Sequence, residues 1–365
     1  MTQLKPNLSR TTWGLAAALL CFAQGAGAQS RAQMPGQTAQ TPARGTHEAA
    51  TAQPAAAPAA TPSIVDWLAR MHAATRRHSY VGTFVVSVAG GNLSSARIWH
   101  ACEGDAQIER VEALSGPPRS TFRRNEEVMT FFPESGVVKS ERRENLGIFP
   151  NVIKEPDSTI GQHYGLRRVG QGRIAGFDTD VMQVVPQDKL RFAYRIWTER
   201  RTGLLMKLQT LDGDGRVVEQ SAFSELQLDA PIKVKTLAQM MHSTAGFRVE
   251  KAELERTTAA EEGWVLATPV TGFRPAGCYR RLMAGDSRAP ERVVQCTFTD
   301  GLASVSLFLE SYNAERQPTE ALFSLGATHT LTRRLSVGGD WWLTAVGEVP
   351  SATLEAFAQG LARIR

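Results

Sequence analysis

The sequence lacks the short motifs that mark common active sites. It contains no G-x-S-x-G, H-E-x-x-H or G-x-x-x-x-G-K-[ST] segment, and no G-x-G-x-x-G between a predicted strand and a helix. Its histidines, cysteines and carboxylates show no spacing typical of metal ligands. Catalytic groups also assemble from distant positions, so a hydrolase is disfavoured rather than excluded. The sequence predicts a binding protein with no catalytic residue, no metal and no cofactor.

Long hydrophobic runs are absent as well. The apolar stretch Trp13–Phe22 is too short to cross a bilayer, and no later run reaches the roughly 18 residues that a spanning helix needs. Basic residues Lys5 and Arg10 precede this stretch, and an A-x-A cleavage pattern ending at Ala28 follows it. We therefore predict a cleaved signal peptide over residues 1–28 and a mature chain in the periplasm.

A strong charge of either sign is missing. The formal net charge is +5, from 41 basic and 36 acidic residues, and removal of Lys5 and Arg10 with the signal peptide leaves 39 − 36 = +3. This balance argues against a nucleic-acid partner.

Residues 29–62 contain no aromatic residue and no Leu, Ile or Val. Such a segment buries too little apolar surface to offset its conformational entropy, which predicts a disordered tether.

Strand patterns are abundant after residue 63. A helix comes first, since Ser63 and Asp66 resemble a capping box and apolar residues follow at helical spacing as far as Met71. Residues 80–228 then alternate with period two and are divided by turns such as Asp212–Gly215. Successive hairpins predict a broad antiparallel sheet. The helix after Ser63 and residues 145–161 are available to cover one face of it.

A change in composition near Pro231 suggests two domains. We assign residues 63–231 to an N-terminal β domain, 232–246 to a linker and 247–365 to a C-terminal α+β domain. The mixed composition of residues 232–246 leaves open whether the linker contains a helical turn. Ser351 is predicted to cap a final helix whose apolar face extends to Ile364.

Cysteine is scarce. Outside the predicted signal peptide the chain has Cys102, Cys278 and Cys296. If residues 279–283 and 292–298 pair as a hairpin, Cys278 and Cys296 fall near opposite positions, where an oxidising compartment would permit a disulfide. Whether they are bridged stays open at this point. Cys102 is expected to be a buried thiol.

Alternation along the strands selects candidate lining residues for the inner face of the sheet. Two interpretations stay open, because the same residues suit an ordinary hydrophobic core or a lipid-accessible lining, and a mobile helix would permit both. The candidate lipid-binding residues are Phe84, Val86, Val88, Met129, Phe131, Tyr194, Ile196, Leu204, Met206 and Leu208.

Several long segments resemble the RseB/MucB family. They are YVGTFVVS (80–87), LSSARIWHACEGDAQIERVEALSGPPR (93–119), RFAYRIWTERRTGLLMKLQTLDGDGRVVEQSAFSELQL (191–228), FTDGLASVSLFLE (298–310) and DWWLTAVGEVP (340–350). The resemblance runs in order from about Ile64 to Arg365, without a large gap. Residues 29–62 and the cysteine pair are not part of the family pattern.

The resemblance implies both a fold and a role. The fold would be α+β and β-rich, with an N-terminal half-open antiparallel β-barrel plugged by helices, as in lipoprotein carriers, and a smaller C-terminal α+β domain. The role would be negative regulation of an envelope-stress sigma factor of the sigma-E/AlgU type. The chain would bind the periplasmic part of a membrane-spanning RseA/MucA-type anti-sigma factor, protect it from proteolysis, and release it on sensing lipid or lipopolysaccharide.

One alternative function shares the predicted barrel. A periplasmic lipid or lipoprotein carrier would use the same inner face but would not require the second domain. The sequence leaves the oligomeric state open, including a homo-oligomer.

Overall fold

The computed structural model describes residues 62–142, 158–251, 254–283, 291–317 and 319–364. The predicted signal peptide, and the predicted tether up to residue 61, lie outside these residues. The chain is β-rich with few helices, as predicted. The α-helices are α1 (Ile64–Arg77), α2 (Val234–His242) and α3 (Ser351–Gly360). Short 3-10 helices lie at Pro133–Ser135 and Ser158–Gln162.

Helix α1 begins where its sequence predicts. The Ser63 hydroxyl accepts a hydrogen bond from the Asp66 backbone N–H at 3.1 Å, so a side chain satisfies one of the free donors of the first turn. Its apolar stripe is buried, including Trp67, Leu68 and Met71. The helix ends at Arg77, and the chain is extended at His78 before the first strand begins.

Within the described residues the first sheet has twelve strands, in the order β12-β6-β5-β4-β3-β2-β1-β11-β10-β9-β8-β7. Its edges, β12 and β7, do not pair with each other in that part of the chain, so the sheet is open. All neighbours are antiparallel except β12 and β6. The strands are β1 (Tyr80–Val88), β2 (Leu93–Glu103), β3 (Ala106–Ala113), β4 (Ser120–Arg124), β5 (Glu127–Phe132), β6 (Val137–Arg142), β7 (Tyr164–Ile174), β8 (Phe177–Pro186), β9 (Ala193–Glu199), β10 (Leu205–Leu211), β11 (Val217–Leu228) and β12 (Arg248–Lys251).

The second sheet has seven strands in the described chain, in the order β13-β15-β16-β17-β20-β19-β18. Helix α3 packs on one face and buries Leu354 and Phe357 against Leu307 and Leu343. A separate pair, β14 (Trp264–Leu266) with β21 (Leu361–Arg363), lies beside it. The seven strands are β13 (Leu254–Thr257), β15 (Arg274–Met283), β16 (Glu291–Thr299), β17 (Ser304–Ser311), β18 (Ala321–Leu325), β19 (Thr328–Ser336) and β20 (Asp340–Gly347).

Both segments near the expected domain boundary are associated with the first sheet. The predicted linker contains α2, in line with its alternative of a helical turn, and α2 packs on the first sheet through Val234, Leu237 and Met241. Residues 248–251, expected in the second domain, pair with β6 of the first sheet. Their polar and exposed side chains gave no sign of this partner, because the pairing is made by the backbone.

The C-terminal helix is shorter than predicted. Ser351 is its first helical residue rather than its cap, and the extended residue Pro350 precedes it. The helix ends at Gly360 because β21 begins at Leu361 and pairs with β14. Ile364 is therefore exposed instead of lying on the apolar face of the helix. No helix in the described ranges is long and apolar enough to span a membrane.

Cys278 and Cys296 face each other on β15 and β16, at positions that are directly paired in the register. Their Cα atoms are 4.1 Å apart, and the sulfurs are bonded at 2.01 Å. Both side chains lie in the core beneath α3. Cys102 is free and partly exposed rather than buried, because it lies one residue before the end of β2.

The disulfide generates a prediction. We expect thiol labelling of the denatured, non-reduced chain without residues 1–28 to modify Cys102 alone. The bridge closes an 18-residue separation, and on the loop-entropy model its loss removes roughly 3 kcal/mol from the free energy of unfolding. A reduced sample serves as the control and should label at three positions. Three labelled cysteines without reductant would show that the bridge does not form.

Candidate binding site

The α1-covered face of the first sheet collects most of the predicted lining residues. Phe84, Tyr194, Ile196, Leu204 and Met206 are buried in one cluster with the apolar stripe of α1. Val86 and Leu208 pack against its margin. Residues directly opposite in antiparallel strands share a face, and the register carries this face from β1 through β11, β10 and β9 to β8. The predicted inner face is therefore one continuous apolar surface on these strands.

This surface is closed by its own contacts. The Phe84 and Phe223 rings meet edge to face with centroids 6.3 Å apart, and Phe223 meets Tyr80 in the same way at 6.1 Å. Met206 is 0% exposed. Ile160, from the 3-10 helix that precedes β7, is also fully buried in the cluster. An acyl chain would therefore need to displace α1 or repack these side chains.

Met129 and Phe131 were predicted to line the inner face of the sheet, and the structure places them on its other face. Following directly opposed residues from Met129 of β5 across β4, β3 and β2 leads to Val81 of β1, so the side chains of Met129 and Val81 lie on the same face of the sheet. Val81 and Phe84 are three residues apart on one strand, so their side chains point to opposite faces. Met129 and Phe131 belong instead to the cluster beneath α2. Sequence alternation within β5 shows which of its residues share a face, but not whether that face lies beneath α1 or beneath α2.

Val88, the last predicted lining residue, lies near the second sheet. Its Cγ1 atom would be 2.7 Å from a Cβ atom built on Gly326, in the turn between β18 and β19. In the same turn, the Ala327 N–H donates to the Glu219 carboxylate of β11 at 3.2 Å. Burial raises the pKa of Glu219, and this hydrogen bond opposes the rise. Val88 therefore belongs to the contact between the sheets rather than to the α1 cluster.

Helix α1 is anchored at the turn between β9 and β10. The Arg70 guanidinium donates to the backbone carbonyls of Arg200 at 2.7 Å and Arg201 at 3.3 Å. Gly203 adopts a left-handed backbone with φ of +83°, and a Cβ there would lie 3.1 Å from the Arg70 side chain. The helix therefore combines a buried apolar stripe with polar contacts from Arg70 and Arg76 at its exposed side.

A buried polar cluster occupies the same face at the β2–β4 end. The His100 ring stacks on Tyr80 at 4.8 Å, and its Nδ1 atom lies 3.7 Å from the Glu109 carboxylate. Arg123 approaches the other oxygen of that carboxylate at 3.8 Å. Burial, and then the charge of Glu109, raise the pKa of Tyr80 well above its usual value. The apolar surface under α1 thus ends at a group of buried polar and charged side chains.

A buried ion pair joins the two sheets. Arg191, in the loop between β8 and β9, donates from Nε to the Asp300 carboxylate at 2.6 Å, and both side chains are fully buried. Tyr164, at the start of β7, donates its hydroxyl to the same oxygen at 2.9 Å. The other Asp300 oxygen accepts from the backbone N–H groups of Leu302 and Ala303, which close the turn before β17. One carboxylate therefore holds a turn of the second sheet and two side chains of the first.

The ion pair has further support on each side. The Arg191 guanidinium also donates to Asp188 and to the Thr271 carbonyl, the latter at 2.7 Å. Burial raises the pKa of the Tyr164 phenol well above its usual value, and the nearby Tyr194 and Asp300 add to the effect. Tyr164 thus stays protonated and keeps donating to Asp300. Because both charges of the pair have several partners, their removal from water is compensated.

Sequence reasoning missed both polar groups. Arg191 and Asp300 lie 109 positions apart, in loops with no motif of their own. His100 offered a weak signal, since it shares the parity of inward-facing Ile98 on β2. A histidine at an inward position suggests a polar partner inside, but only the register shows that Glu109 lies directly opposite.

The buried ion pair generates a prediction. Asp300→Ala should lower the free energy of unfolding by about 3–5 kcal/mol, because it leaves the Arg191 charge buried without its main partner. Glu250→Ala is the control, since it breaks an exposed pair with Arg248 and should cost less than about 1 kcal/mol. Urea denaturation followed by circular dichroism measures both. A cost for Asp300→Ala as small as that of the control would contradict the assigned role.

The fold defines a β-rich protein of two sheets, each with a helix packed on an apolar face. Two family models match the chain. The model of the MucB/RseB N-terminal domain matches residues 63–241, and that of the MucB/RseB C-terminal domain matches residues 258–362. The chain belongs to the MucB/RseB family.

Individual relatives agree with this assignment. The chain is 31% identical over 296 residues to the sigma factor AlgU regulatory protein MucB of Pseudomonas aeruginosa, which covers 80% of this chain and 89% of the relative. It is 25% identical over 310 residues to the sigma-E factor regulatory protein RseB of Escherichia coli K12, with coverages of 83% and 91%. The resemblance to the RseB/MucB family that the sequence segments indicated is confirmed.

Solved structures show the same likeness. The crystal structure of MucB in complex with MucA(peri) aligns with a TM-score of 0.62 at 28% identity, over 82% of this chain and 98% of that one. The structure of the Pseudomonas aeruginosa MucA/MucB complex aligns with a TM-score of 0.64 at 28% identity, over 82% and 99%.

Proposed function

We propose that this chain is a periplasmic negative regulator of an envelope-stress sigma factor pathway, and that it binds the periplasmic part of a membrane-spanning anti-sigma factor of the RseA/MucA type. The observation that carries the proposal is the match over both domains to named sigma factor regulators, including a MucB solved in complex with MucA(peri). The periplasmic location also rests on the predicted signal peptide at residues 1–28. Residues 63–231 and 247–365 act as the two domains in this proposal.

The proposal includes protection and release. Bound chain shields the anti-sigma factor from its first proteolytic cut, and a lipid or lipopolysaccharide signal ends the binding. What supports a lipid signal is the continuous apolar surface under α1, with seven of the ten predicted lining residues at it. The predicted half-open barrel belongs to this part of the proposal, with α1 as its plug. Polar contacts at the exposed side of α1 include those of Arg70 and the cap at Ser63.

A periplasmic lipid or lipoprotein carrier is the second candidate. The same apolar surface favours it, because a carrier needs a concealed face for acyl chains. The second sheet argues against it. A carrier would not require this second domain, and here the domain is held to the first sheet through a fully buried ion pair and the Tyr164 hydroxyl.

The first test of the proposed function uses the chain without residues 1–28 and the periplasmic segment of the MucA-type anti-sigma factor from the same genome. We expect a stoichiometric complex by calorimetry, and slower cleavage of that segment by its initiating periplasmic protease when the chain is present. An unrelated protease substrate serves as the control and should be cut at an unchanged rate. Absence of binding, or cleavage that the chain does not slow, would contradict the regulator proposal and leave the carrier.

The second test addresses the lipid surface and compares two buried methionines on opposite faces of one sheet. Met206→Gln should weaken binding of a lipid A-like amphiphile by roughly 5- to 150-fold, because an unpaired amide in the lining costs about 1–3 kcal/mol and 1.4 kcal/mol is a factor of ten. Met129→Gln, beneath α2, carries the same chemical change and should bind the amphiphile as the parent does. Both should keep their affinity for the anti-sigma segment.

Circular dichroism and thermal melting check that both methionine variants stay folded. Amphiphile binding is measured by displacement of a fluorescent fatty acid. If folded Met206→Gln binds as well as Met129→Gln, the α1-covered face is an ordinary core, and the lipid signal acts elsewhere.

A further inference from the structure

Within the described residues, one face of the first sheet carries no helix at its β7–β10 end. Helix α1 covers the opposite face of these strands, α2 packs against β2 and β3, and α3 packs on the second sheet. The register places Lys207 of β10 beside Trp197 of β9, on the face away from Met206. The next row of opposed residues on this face is entirely polar, and it consists of Gln209, Arg195, Gln183 and Arg167. We call these two rows the basic face of the sheet.

The cations of the basic face are not neutralised by neighbouring carboxylates. Neither Arg195 nor Lys207 forms an ion pair with any residue that the structure describes. Lys207 Nζ lies 4.6 Å from the centroid of the Trp197 ring, and Arg167 donates to the Gln183 side-chain oxygen at 2.7 Å. Burial lowers the pKa of Lys207, and the charge of Arg195 lowers it further. An anion above these two side chains would therefore relieve their mutual repulsion.

The carboxylates of β7–β10 lie elsewhere. These strands carry three of them, and Asp178 and Asp180 fall on the opposite face because they share the parity of inward-facing Met182. Glu199 is 3% exposed, and its Oε2 atom accepts the backbone N–H and the hydroxyl of Thr202, each at 2.7 Å. The separation of charge between the two faces gives the basic face a positive surface.

The spacing of these cations selects the kind of partner. Arg167 and Lys207 lie on strands that are three spacings apart, about 14 Å across the sheet, which is wider than one phosphate group. Strands β8, β9 and β10 each pair with a neighbour on both sides, so their backbones offer nothing to an added peptide strand. A surface with several separated negative charges fits this arrangement.

We propose that the basic face rests on the surface of an anionic phospholipid membrane, with Arg167, Arg195 and Lys207 directed to the headgroup phosphates. Val185, on the same face at the end of β8, is 37% exposed, and Trp197 is an amphipathic side chain of the type enriched at membrane interfaces. Each basic residue near such a surface contributes about fivefold to partitioning, so three cations give a reversible contact without insertion. The inference is independent of the anti-sigma proposal, because lipid alone suffices to observe the contact.

Co-sedimentation with vesicles tests the proposal on the chain without residues 1–28. The parent should bind vesicles of phosphatidylglycerol and phosphatidylethanolamine mixed roughly one to two, and should not bind vesicles of phosphatidylcholine. Arg195→Gln combined with Lys207→Gln should lower the partition coefficient roughly 25-fold, because each cation accounts for about fivefold. Added salt should weaken binding of the parent, since the contact is made by exposed charges.

A matched control removes the same amount of charge from the other face. Arg168 and Arg200 both pair with Asp180, at 2.8 Å and 3.8 Å. Arg168→Gln combined with Arg200→Gln should bind the anionic vesicles as the parent does, because these cations do not belong to the basic face. Circular dichroism checks that both double variants stay folded.

Several outcomes would overturn the proposal. They are a parent that does not bind the anionic vesicles, an Arg195→Gln, Lys207→Gln protein that binds them as the parent does, and a control that loses binding equally. Release of the parent from vesicles by inorganic phosphate at matched ionic strength would show a site for one anion instead of a surface. If the parent ignores vesicles and the Arg195→Gln, Lys207→Gln protein instead loses the anti-sigma segment, the basic face is a protein contact and the membrane proposal is wrong.

Discussion

The positions of the helices depend on one constraint: both faces of the long open first sheet carry apolar side chains that must be covered. Twelve strands present two surfaces, and apolar side chains occupy different faces at its two ends. No single helix can cover both, because alternate side chains on each strand point to opposite sides. Helix α1 therefore covers the face that carries Phe84 and Ile196, while α2 covers the face that carries Met129 and Phe131. The position of both helices follows from this constraint.

Helices α1 and α2 are connected to the first sheet in different ways. Helix α2 follows β11 directly and leads into β12, so strands of the same sheet hold it at both ends. Within the described residues, helix α1 is joined to a strand only at its C-terminal end, and its exposed side is attached through Arg70 to two carbonyls. In that part of the chain, displacing α1 therefore disturbs fewer connections to strands than displacing α2. A regulator that admits a lipid would use the cover that is easier to displace, and this agrees with the function proposed here.

The contact between the sheets bears on how a signal would pass through the molecule. Arg191 and Tyr164 belong to elements that also contribute to the α1 cluster, since Phe192 and Tyr164 are both buried there. Asp300 belongs to the second sheet and bonds both of those side chains. A repacked α1 surface would thus move the residues that hold the second sheet. Under the proposed function, this provides a physical route between a lipid site and the rest of the chain.

The amino-acid sequence by itself determined the strands, the first helix and the family. Period-two alternation identified residues 80–228 as strands divided by turns, and the pairing of Ser63 with Asp66 located the start of α1, because these signals act between near neighbours in the chain. The long segments resembling the RseB/MucB family identify its relatives without the tertiary structure.

The tertiary structure alone decided which face each strand presents, what covers it, and which charges meet. Alternation divides the residues of a strand into two sets on opposite faces but does not show which set faces α1. Met129 and Phe131 were therefore grouped with Phe84, although the register places them on the opposite face of the sheet. Arg191 and Asp300 meet only because the two sheets pack together, and β12 joins the first sheet through backbone bonds that its side chains do not report. Contacts between distant segments depend on register and packing, which local sequence patterns do not encode.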